Sequence, residues 1–358
     1  MKILGVSNPR YVGVTVATKS YCTHHLAFDP LSHSSYTAAG AATHIIQLNP
    51  DLVIIGGWSP GYDQLATYLG HRHNRKFPVV AAWHGTHFHE TYLKDWNYMR
   101  DILHLHQERF VDYLAFPQLD AAAYFHNVKE IPSFFLPHVF PIQKKAKKPN
   151  TFTVGLMGGK NEWKNYFGQK EILTDFQAKH HGTNVLEVHT PTSNQHEDFL
   201  KLLGQCSVLS HLSILDCYPN VVLEAWSMGI PTVLSPASAC PINNDLVTAN
   251  QDLKEWMRHL VCSSSTNAYE LYQKLEKVMG EWEQYSSVTY AYYQLLHRET
   301  QEYLRKGFKE LCASFTLRKT QSLALPTTFT RHLTATPKFA PDLSAPTQIT
   351  ETGSSLTI

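Results

Sequence analysis

Two carboxylates flank the start of a short predicted helix in residues 207–236, SVLSHLSILDCYPNVVLEAWSMGIPTVLSP. Asp216 lies in the preceding loop, and Glu224 lies eight positions later on the helix. Pro219 and Asn220 suit the first positions of a helix, where a missing or side-chain-capped N–H costs nothing. The helix N-terminus offers unpaired N–H groups and the positive end of the helix dipole, which together favour a bound diphosphate. Both acids are therefore candidates for contacting a phosphorylated ligand above this terminus.

The string between and after these acids, PNVVLEA followed by GIPTV, resembles the E-x7-E element of retaining GT-B glycosyltransferases, in particular the GT4 family (glycosyltransferase group 1). The resemblance implies that Asp216 reaches the donor sugar and that Glu224 binds the nucleotide ribose. It also implies that the backbone at Pro219, Asn220 and Val221 meets the sugar and the phosphates. Asp216 is one methylene shorter than the usual Glu of the family. Taken one at a time, the two acids could instead be a turn residue and a solvated helix residue.

Lysines follow a predicted glycine turn where the second half of the chain begins, in TFTVGLMGGKNEWKNYFG. GT4 proteins open this domain with a strand, a short loop, and an Arg and a Lys that hold the diphosphate. The resemblance assigns this role to Lys164, or alternatively to Lys160, together with backbone N–H groups of the turn at Gly158 and Gly159. Leu156 stands where the family has its Arg, so that cation is missing.

Three histidines and a glutamate lie within the seven residues HGTHFHE, directly after a predicted strand. Because H-x-H and H-x-x-H spacings serve as ligand pairs, His84, His87, His89 and Glu90 could form a metal site. Structural histidines are a second interpretation, since the chain contains 21 of them. The GT4 resemblance gives a third, because His-Gly pairs of the family contact the donor sugar at the end of a parallel strand. We predict His84 at the sugar site and no bound metal.

Continuous apolar runs alternate with helical patterns along the chain. Runs such as PDLVIIGGW and PVVAAW are apolar at nearly every position, as expected for parallel strands that are covered on both faces. This alternation predicts an α/β fold, and the resemblance implies two Rossmann-like domains that face a cleft (GT-B). We expect an N-terminal acceptor domain at 1–142, a lysine-rich linker at 143–150, a nucleotide-sugar-binding domain with closing helices at 151–313, and a disordered tail at 314–358.

The composition narrows the classes of partner. The 31 Lys and Arg residues balance 30 Asp and Glu residues, so no overall charge attracts nucleic acid or anionic lipid. No run reaches the ~18 apolar residues of a membrane span. The six cysteines are scattered without a C-x-x-C pair, which fits reduced thiols. We therefore expect a cytoplasmic protein, with peripheral membrane contact left open and without nucleic acid as a partner.

Together these features predict a retaining, metal-independent glycosyltransferase that moves a sugar from a nucleotide-diphosphate sugar to an acceptor hydroxyl. UDP- or GDP-sugars are the expected donors, no further cofactor is expected, and the acceptor is expected to be an envelope or capsule glycan or a lipid-linked glycan. Three alternatives stay open. The chain could be a GT-B module that binds nucleotide sugar without turnover, a glycosyltransferase acting on modified DNA bases, or a metal-dependent hydrolase built on His84, His87 and His89.

Overall fold

Two parallel sheets with intervening helices organise the chain. The computed structural model describes residues 1–32, 37–70, 75–84, 92–158, 162–189, 196–244, 246–247, 250–317, 325–331 and 333. The first half of the chain builds a six-stranded sheet, and the second half builds a four-stranded sheet. The predicted α/β class with two parallel sheets is confirmed.

The first sheet has the strand order β2-β1-β3-β4-β5-β6, and every neighbouring pair is parallel. Its strands are β1 Ile3–Ser7, β2 His24–Ala27, β3 Leu52–Gly56, β4 Val79–Ala82, β5 Tyr113–Phe116 and β6 Ser133–Phe135. Its helices are α1 Val12–Tyr21, α2 Ala38–Leu48, α3 Tyr62–Gly70, α4 Tyr92–Gln107 and α5 Leu119–Asn127. The direction in which strands are added reverses between β1 and β3. Doubly wound sheets bind ligands at the carboxyl ends of strands beside such a switch point.

The second sheet has the strand order β10-β9-β7-β8 and is also parallel throughout. Its strands are β7 Phe152–Gly158, β8 Thr183–His189, β9 Val208–His211 and β10 Thr232–Leu234. The helices are α6 Tyr166–Lys179, α7 His196–Leu203, α8 Asn220–Ser227, α9 Cys240–Asn243, α10 Gln251–Arg258 and α11 Ala268–Gly280. Here the switch point lies between β7 and β9, so the loops after these two strands are the expected ligand-binding loops.

Helix α8 is the most deeply buried helix near this switch point. The side chains of its inner face, Val222, Ala225 and Trp226, are fully buried. The helix ends just before Gly229, which adopts a positive φ of 72° that favours glycine. The element that carries Glu224 is therefore fixed by packing on the sheet.

A long helix, α12 Trp282–Leu317, returns from the second sheet to the first. Tyr293 Oη donates to the carbonyl of Phe140 at 2.8 Å, and Tyr303 Oη donates to the carbonyl of Phe135 at 3.0 Å. Both tyrosines are buried. The helix therefore ties the end of β6 to the second half of the chain.

The expectation of a disordered tail is wrong for the part of the tail that the structure describes. Residues 325–331 include a short helix, α13 Thr327–Thr330. Phe329 is fully buried and stacks on Phe134 with ring centroids 4.2 Å apart. The Phe329 ring thus anchors this segment on the first sheet, and Thr328 adds hydrogen bonds to Glu310 of α12, although the Thr- and Pro-rich sequence has little apolar periodicity.

Two local features shape the surroundings of α8. A 3-10 turn at Glu162–Lys164 precedes α6, and the two are separated by Asn165, which adopts a left-handed conformation with φ of 50°. The linker at 143–150 packs in part on the end of α8, where the N–H of Ala146 donates to the carbonyl of Met228 at 2.8 Å. Within the described part of the chain, no helix is both long enough and apolar enough to cross a membrane.

Candidate active site

A cavity of about 290 Å³ lies at the carboxyl ends of strands from both sheets. It brings together seven of the predicted site residues, namely His84, Lys164, Asp216, Pro219, Asn220, Val221 and Glu224. Gly158 is the last residue of strand β7. Gly159 and Lys160 lie outside the described residues. The cavity is formed by the loops that follow β4, β6, β7 and β9 and by the N-terminal halves of α1, α7 and α8.

Asp216 is the centre of the polar contacts in the cavity. Its Oδ2 atom accepts hydrogen bonds from Lys164 Nζ at 2.5 Å and from His211 Nε2 at 2.9 Å. The side chain of Asp216 is 6% exposed and that of Lys164 is 34% exposed. Burial raises the pKa of Asp216, but the charge of Lys164 and the hydrogen bond from His211 outweigh it and hold this pKa below its usual value. Asp216 is therefore a buried carboxylate that stays ionised.

The positions predicted to meet sugar and phosphate form the N-terminus of α8. Pro219 is the N-cap and makes no side-chain capping bond. Asn220 Nδ2 donates to the carbonyl of Gly13, at the start of α1, at 2.9 Å. The other amide atom, Oδ1, lies 2.8 Å from His138 Nδ1, which therefore donates. The positive end of α8 thus borders the cavity and is joined by hydrogen bonds to the first sheet's loops.

Glu224 also lines the cavity and has a hydrogen-bond partner of its own. Its Oε1 atom lies 2.6 Å from Nε2 of His196, the first residue of α7. The hydrogen bond to Glu224 raises the pKa of His196. Burial raises the pKa of Glu224, although the contact with His196 opposes this effect. This hydrogen bond therefore links the first residue of α7 to α8 at the border of the cavity.

His84 follows β4 and reaches the cavity from the first sheet. Its Nε2 atom lies 3.1 Å from Tyr21 Oη, and its ring lies 5.1 Å from the ring of His138. Burial and the neighbouring His138 lower the pKa of His84, so it is neutral at physiological pH. A neutral imidazole at this place can contact a ligand hydroxyl without adding charge.

The metal interpretation receives no support from the part of the chain that the structure describes. No three His, Cys, Asp or Glu side chains in these ranges are grouped closely enough to share a metal ion. His87, His89 and Glu90 lie outside the described residues. Leu156, which stands where the resemblance places a phosphate-binding Arg, is fully buried within β7.

Three histidines of the site were not predicted from the sequence. His138, His196 and His211 all line the cavity and bond Asn220, Glu224 and Asp216, respectively. The sequence does contain a signal for His211, because it is the last residue of the strand that leads into the Asp216 loop and therefore lies close to Asp216 along the chain. His138 and His196 are 82 and 28 positions from their partners, so only the folded chain brings these pairs together.

Solved structures with the same fold include three glycosyltransferases. A UDP-forming alpha,alpha-trehalose-phosphate synthase from Burkholderia vietnamiensis has a TM-score of 0.57 and 10% identity, covering 91% of this chain and 100% of that chain. Sucrose-phosphate synthase from Thermosynechococcus elongatus has a TM-score of 0.53 and 10% identity, and the match covers 84% of this chain and 94% of that chain. A mutant of S. aureus TarM in complex with Fondaparinux, alpha-GlcNAc-glycerol and UDP has a TM-score of 0.50 and 11% identity. This match covers 76% of this chain and 58% of that chain.

No protein-family model and no curated protein sequence matches the chain. At 10–11% identity, the similarity to solved structures establishes the fold. The chain therefore has the two-sheet α/β architecture of GT-B glycosyltransferases.

Proposed function

We propose that this protein is a retaining glycosyltransferase that moves a sugar from a nucleotide-diphosphate sugar to an acceptor hydroxyl. The observation that carries the proposal is one cavity that holds Asp216, Lys164, Glu224 and the N-terminus of α8 at the switch point of the second sheet, opposite His84. The glycosyltransferase names of the similar structures support it. The likeness of the 216–224 segment to the E-x7-E element supports retention of anomeric configuration.

In the proposed reaction, the bond between the anomeric carbon and the diphosphate oxygen breaks as the acceptor hydroxyl bonds to that carbon. Positive charge grows on the sugar ring, and negative charge grows on the leaving diphosphate. Lys164 and the backbone N–H groups at Asn220 and Val221 would stabilise the diphosphate, since a cation and a helix N-terminus both favour anions. The departing phosphate oxygen would take the acceptor proton. Because the protein supplies this positive charge, we propose that no metal is needed.

The remaining cavity residues would position the donor. Asp216 would bind the sugar, His84 would contact it from the first sheet, and Glu224 would bind the ribose hydroxyls. Lys164 lies next to Asp216. In the proposed complex the cation would face the diphosphate and the carboxylate would face the sugar, which are adjacent groups of the donor. We propose UDP- or GDP-sugars as donors, and the UDP-forming and UDP-bound neighbours support the first of these.

The acceptor side is proposed from fold and composition. Residues 1–142 would bind an envelope or capsule glycan or a lipid-linked glycan, and 151–313 would bind the donor. We propose a cytoplasmic location with peripheral membrane contact for a lipid-linked acceptor. The balance of charges over the whole sequence argues against nucleic acid.

One observation favours a second candidate, a GT-B module that binds nucleotide sugar without turnover. Leu156 is buried where the resemblance places an Arg, and Lys164, the candidate lysine that the structure describes, is already paired with Asp216. Weaker stabilisation of the diphosphate would reduce the rate of bond cleavage more than it reduces the affinity for the donor, because the negative charge on the diphosphate grows in the transition state.

Nucleotide release separates these candidates. We would measure release from UDP-, GDP-, ADP- and CMP-sugars, with and without EDTA, for wild type, Glu224→Gln and the control Glu283→Gln. Glu283 is 69% exposed on α12 and pairs with Lys148, away from the cavity. We expect release from one donor, insensitive to EDTA, with kcat/KM reduced about 10- to 100-fold in Glu224→Gln alone, as for a hydrogen bond to a charged group.

Binding of a donor without release would favour the binding module. Release that EDTA abolishes and that survives Glu224→Gln would contradict the assignment of the site.

A further inference from the structure

The carboxylate of Asp216 is held at one of its two oxygens. Lys164 Nζ and His211 Nε2 both donate to Oδ2, at 2.5 Å and 2.9 Å. The backbone carbonyl of Asp216 accepts from Gln118 Nε2 at 3.1 Å, so the loop is also fixed from the first sheet. Among the residues that the structure describes, no hydrogen bond to Oδ1 is formed. Since Asp216 lines the cavity, Oδ1 is the oxygen left for a ligand.

His211 is the rigid one of the two donors. It is 2% exposed, and it is the last residue of β9, where its backbone pairs with Leu234 of β10. Lys164, by contrast, is 34% exposed and carries its charge on a flexible stem. A carboxylate rotates readily about its last torsion, so a single flexible partner leaves its orientation loosely defined. The hydrogen bond from His211, which is fixed at the end of β9, restricts the rotation of the Asp216 carboxylate.

The chemistry of His211 also suits this role. Ionised Asp216 only accepts hydrogen bonds, so His211 must carry its proton on Nε2. Burial and the charge of Lys164 lower the pKa of His211, so the ring is a neutral donor. A neutral donor orients the carboxylate without cancelling the charge that attracts a ligand hydroxyl.

We propose that His211 is a positioning residue, which fixes the Asp216 carboxylate so that Oδ1 accepts a hydrogen bond from a hydroxyl of the donor sugar. The inference rests on the proposed glycosyltransferase function and adds a residue to it. Because the aspartate is one methylene shorter than a glutamate, its reach is smaller and the direction of its free oxygen matters more.

Several titratable groups lie near Asp216 and could contribute to the pH dependence of the reaction. Those that interact with it come from β9, from the 3-10 turn after β7, from the segment after β6, from the loop itself and from the start of α9; they are His211, Lys164, His138, Cys217 and Cys240. Burial raises the pKa of both thiols and lowers that of His138, so these three are neutral near pH 7. The ionisation of Asp216 therefore depends on Lys164 and His211.

The test compares His211→Leu with His211→Gln, whose amide N–H can replace the imidazole donor. The control is His106→Leu, since His106 bonds the backbone of Val111 outside the cavity. In His211→Leu we expect kcat for nucleotide release to fall about 10- to 100-fold. The acid limb of the pH–rate profile should move to higher pH, because Asp216 loses a donor that lowers its pKa. The affinity for the nucleoside diphosphate alone should not change.

Recovery of most of the loss in His211→Gln, with an unchanged control, would support the proposal. Wild-type rates in His211→Leu, or a loss of nucleoside diphosphate affinity with no movement of the acid limb, would overturn it. Absence of release by wild type with every donor would instead refute the proposed function.

A measurement on the wild-type protein covers the case in which His211→Leu does not fold. Nitrogen-15 NMR of the labelled imidazole reports which ring nitrogen carries the proton. We expect a protonated Nε2 whose resonance shifts in Asp216→Asn. An unprotonated Nε2 in wild type would overturn the proposal, because it could not donate to the carboxylate.

Discussion

The ion pair between Lys164 and Asp216 makes a quantitative prediction for the ligand-free protein. Removing one partner of a fully buried pair costs about 3–5 kcal/mol, because the other charge is left unpaired. Asp216 is 6% exposed, but Lys164 is 34% exposed and can regain water. Asp216 also keeps its bond from His211 when the lysine is removed. We therefore expect Lys164→Met and Asp216→Asn each to lower the free energy of unfolding by about 2–3 kcal/mol.

A double-mutant cycle isolates the interaction between the two side chains. The double variant should be less destabilised than the sum of the single variants, with a coupling energy of about 2 kcal/mol. Urea unfolding followed by tryptophan fluorescence measures each value. The exposed pair Lys148–Glu283, with side chains 52% and 69% exposed, is the matched control, and its coupling should be much smaller because water screens both charges.

The dependence of this coupling on pH follows from the lowered pKa of Asp216. A carboxylate whose folded pKa lies below its unfolded value of about 3.9 contributes stability above that value and loses it as the pH falls through the folded pKa. The coupling should therefore be the same at about pH 5 and pH 7. Additive single variants at pH 7, or a coupling equal to that of Lys148–Glu283, would refute the buried ion pair.

Three further predictions concern the cavity border and the tail. The hydrogen bond to Glu224 raises the pKa of His196, so its stabilisation is complete below the unfolded value of about 6.5 and is lost as the pH rises through the folded pKa. Wild type should lose stability in urea titrations as the pH rises above about 6.5, whereas His196→Gln should show a smaller decline. Equal declines would contradict this. Phe329→Ala should destabilise the protein by about 3–5 kcal/mol because the ring is fully buried, whereas Ala at exposed Tyr269 should have little effect. Gly307→Ala should cost about 1–3 kcal/mol, since its Cβ would lie 2.3 Å from the Phe329 ring; an unchanged melting temperature would show that the tail does not pack there.

The parts of the fold that sequence patterns predicted are those in which local and tertiary preferences agree. The buried strands β3 and β4 are apolar at nearly every position, and α8 begins after Pro219 and ends near Gly229 as its sequence indicates. Helix α1 and strand β2 were not predicted. Helix α1 contains Gly13 and β-branched residues of low helix propensity, and β2 is a sheet-edge strand with no fully buried residue. Tertiary contacts decide both elements.

The candidate site shows the same division. The E-x7-E resemblance marked Asp216 and Glu224 because both belong to one short segment with recognisable helix boundaries. The histidines that bond these two acids were not predicted. Which histidine reaches which acid depends on the loops that meet at the switch points of the sheets. With 21 histidines in the chain, residue type alone could not select His138, His196 or His211.

A crystal structure with the nucleotide product or an unreactive nucleotide sugar would test the central claim most directly. The account predicts the diphosphate within hydrogen-bond distance of Lys164 Nζ and the first N–H groups of α8, the ribose at Glu224, and the sugar at Asp216. A nucleotide bound elsewhere on the protein, or one that leaves Lys164 and α8 without contact, would contradict the account.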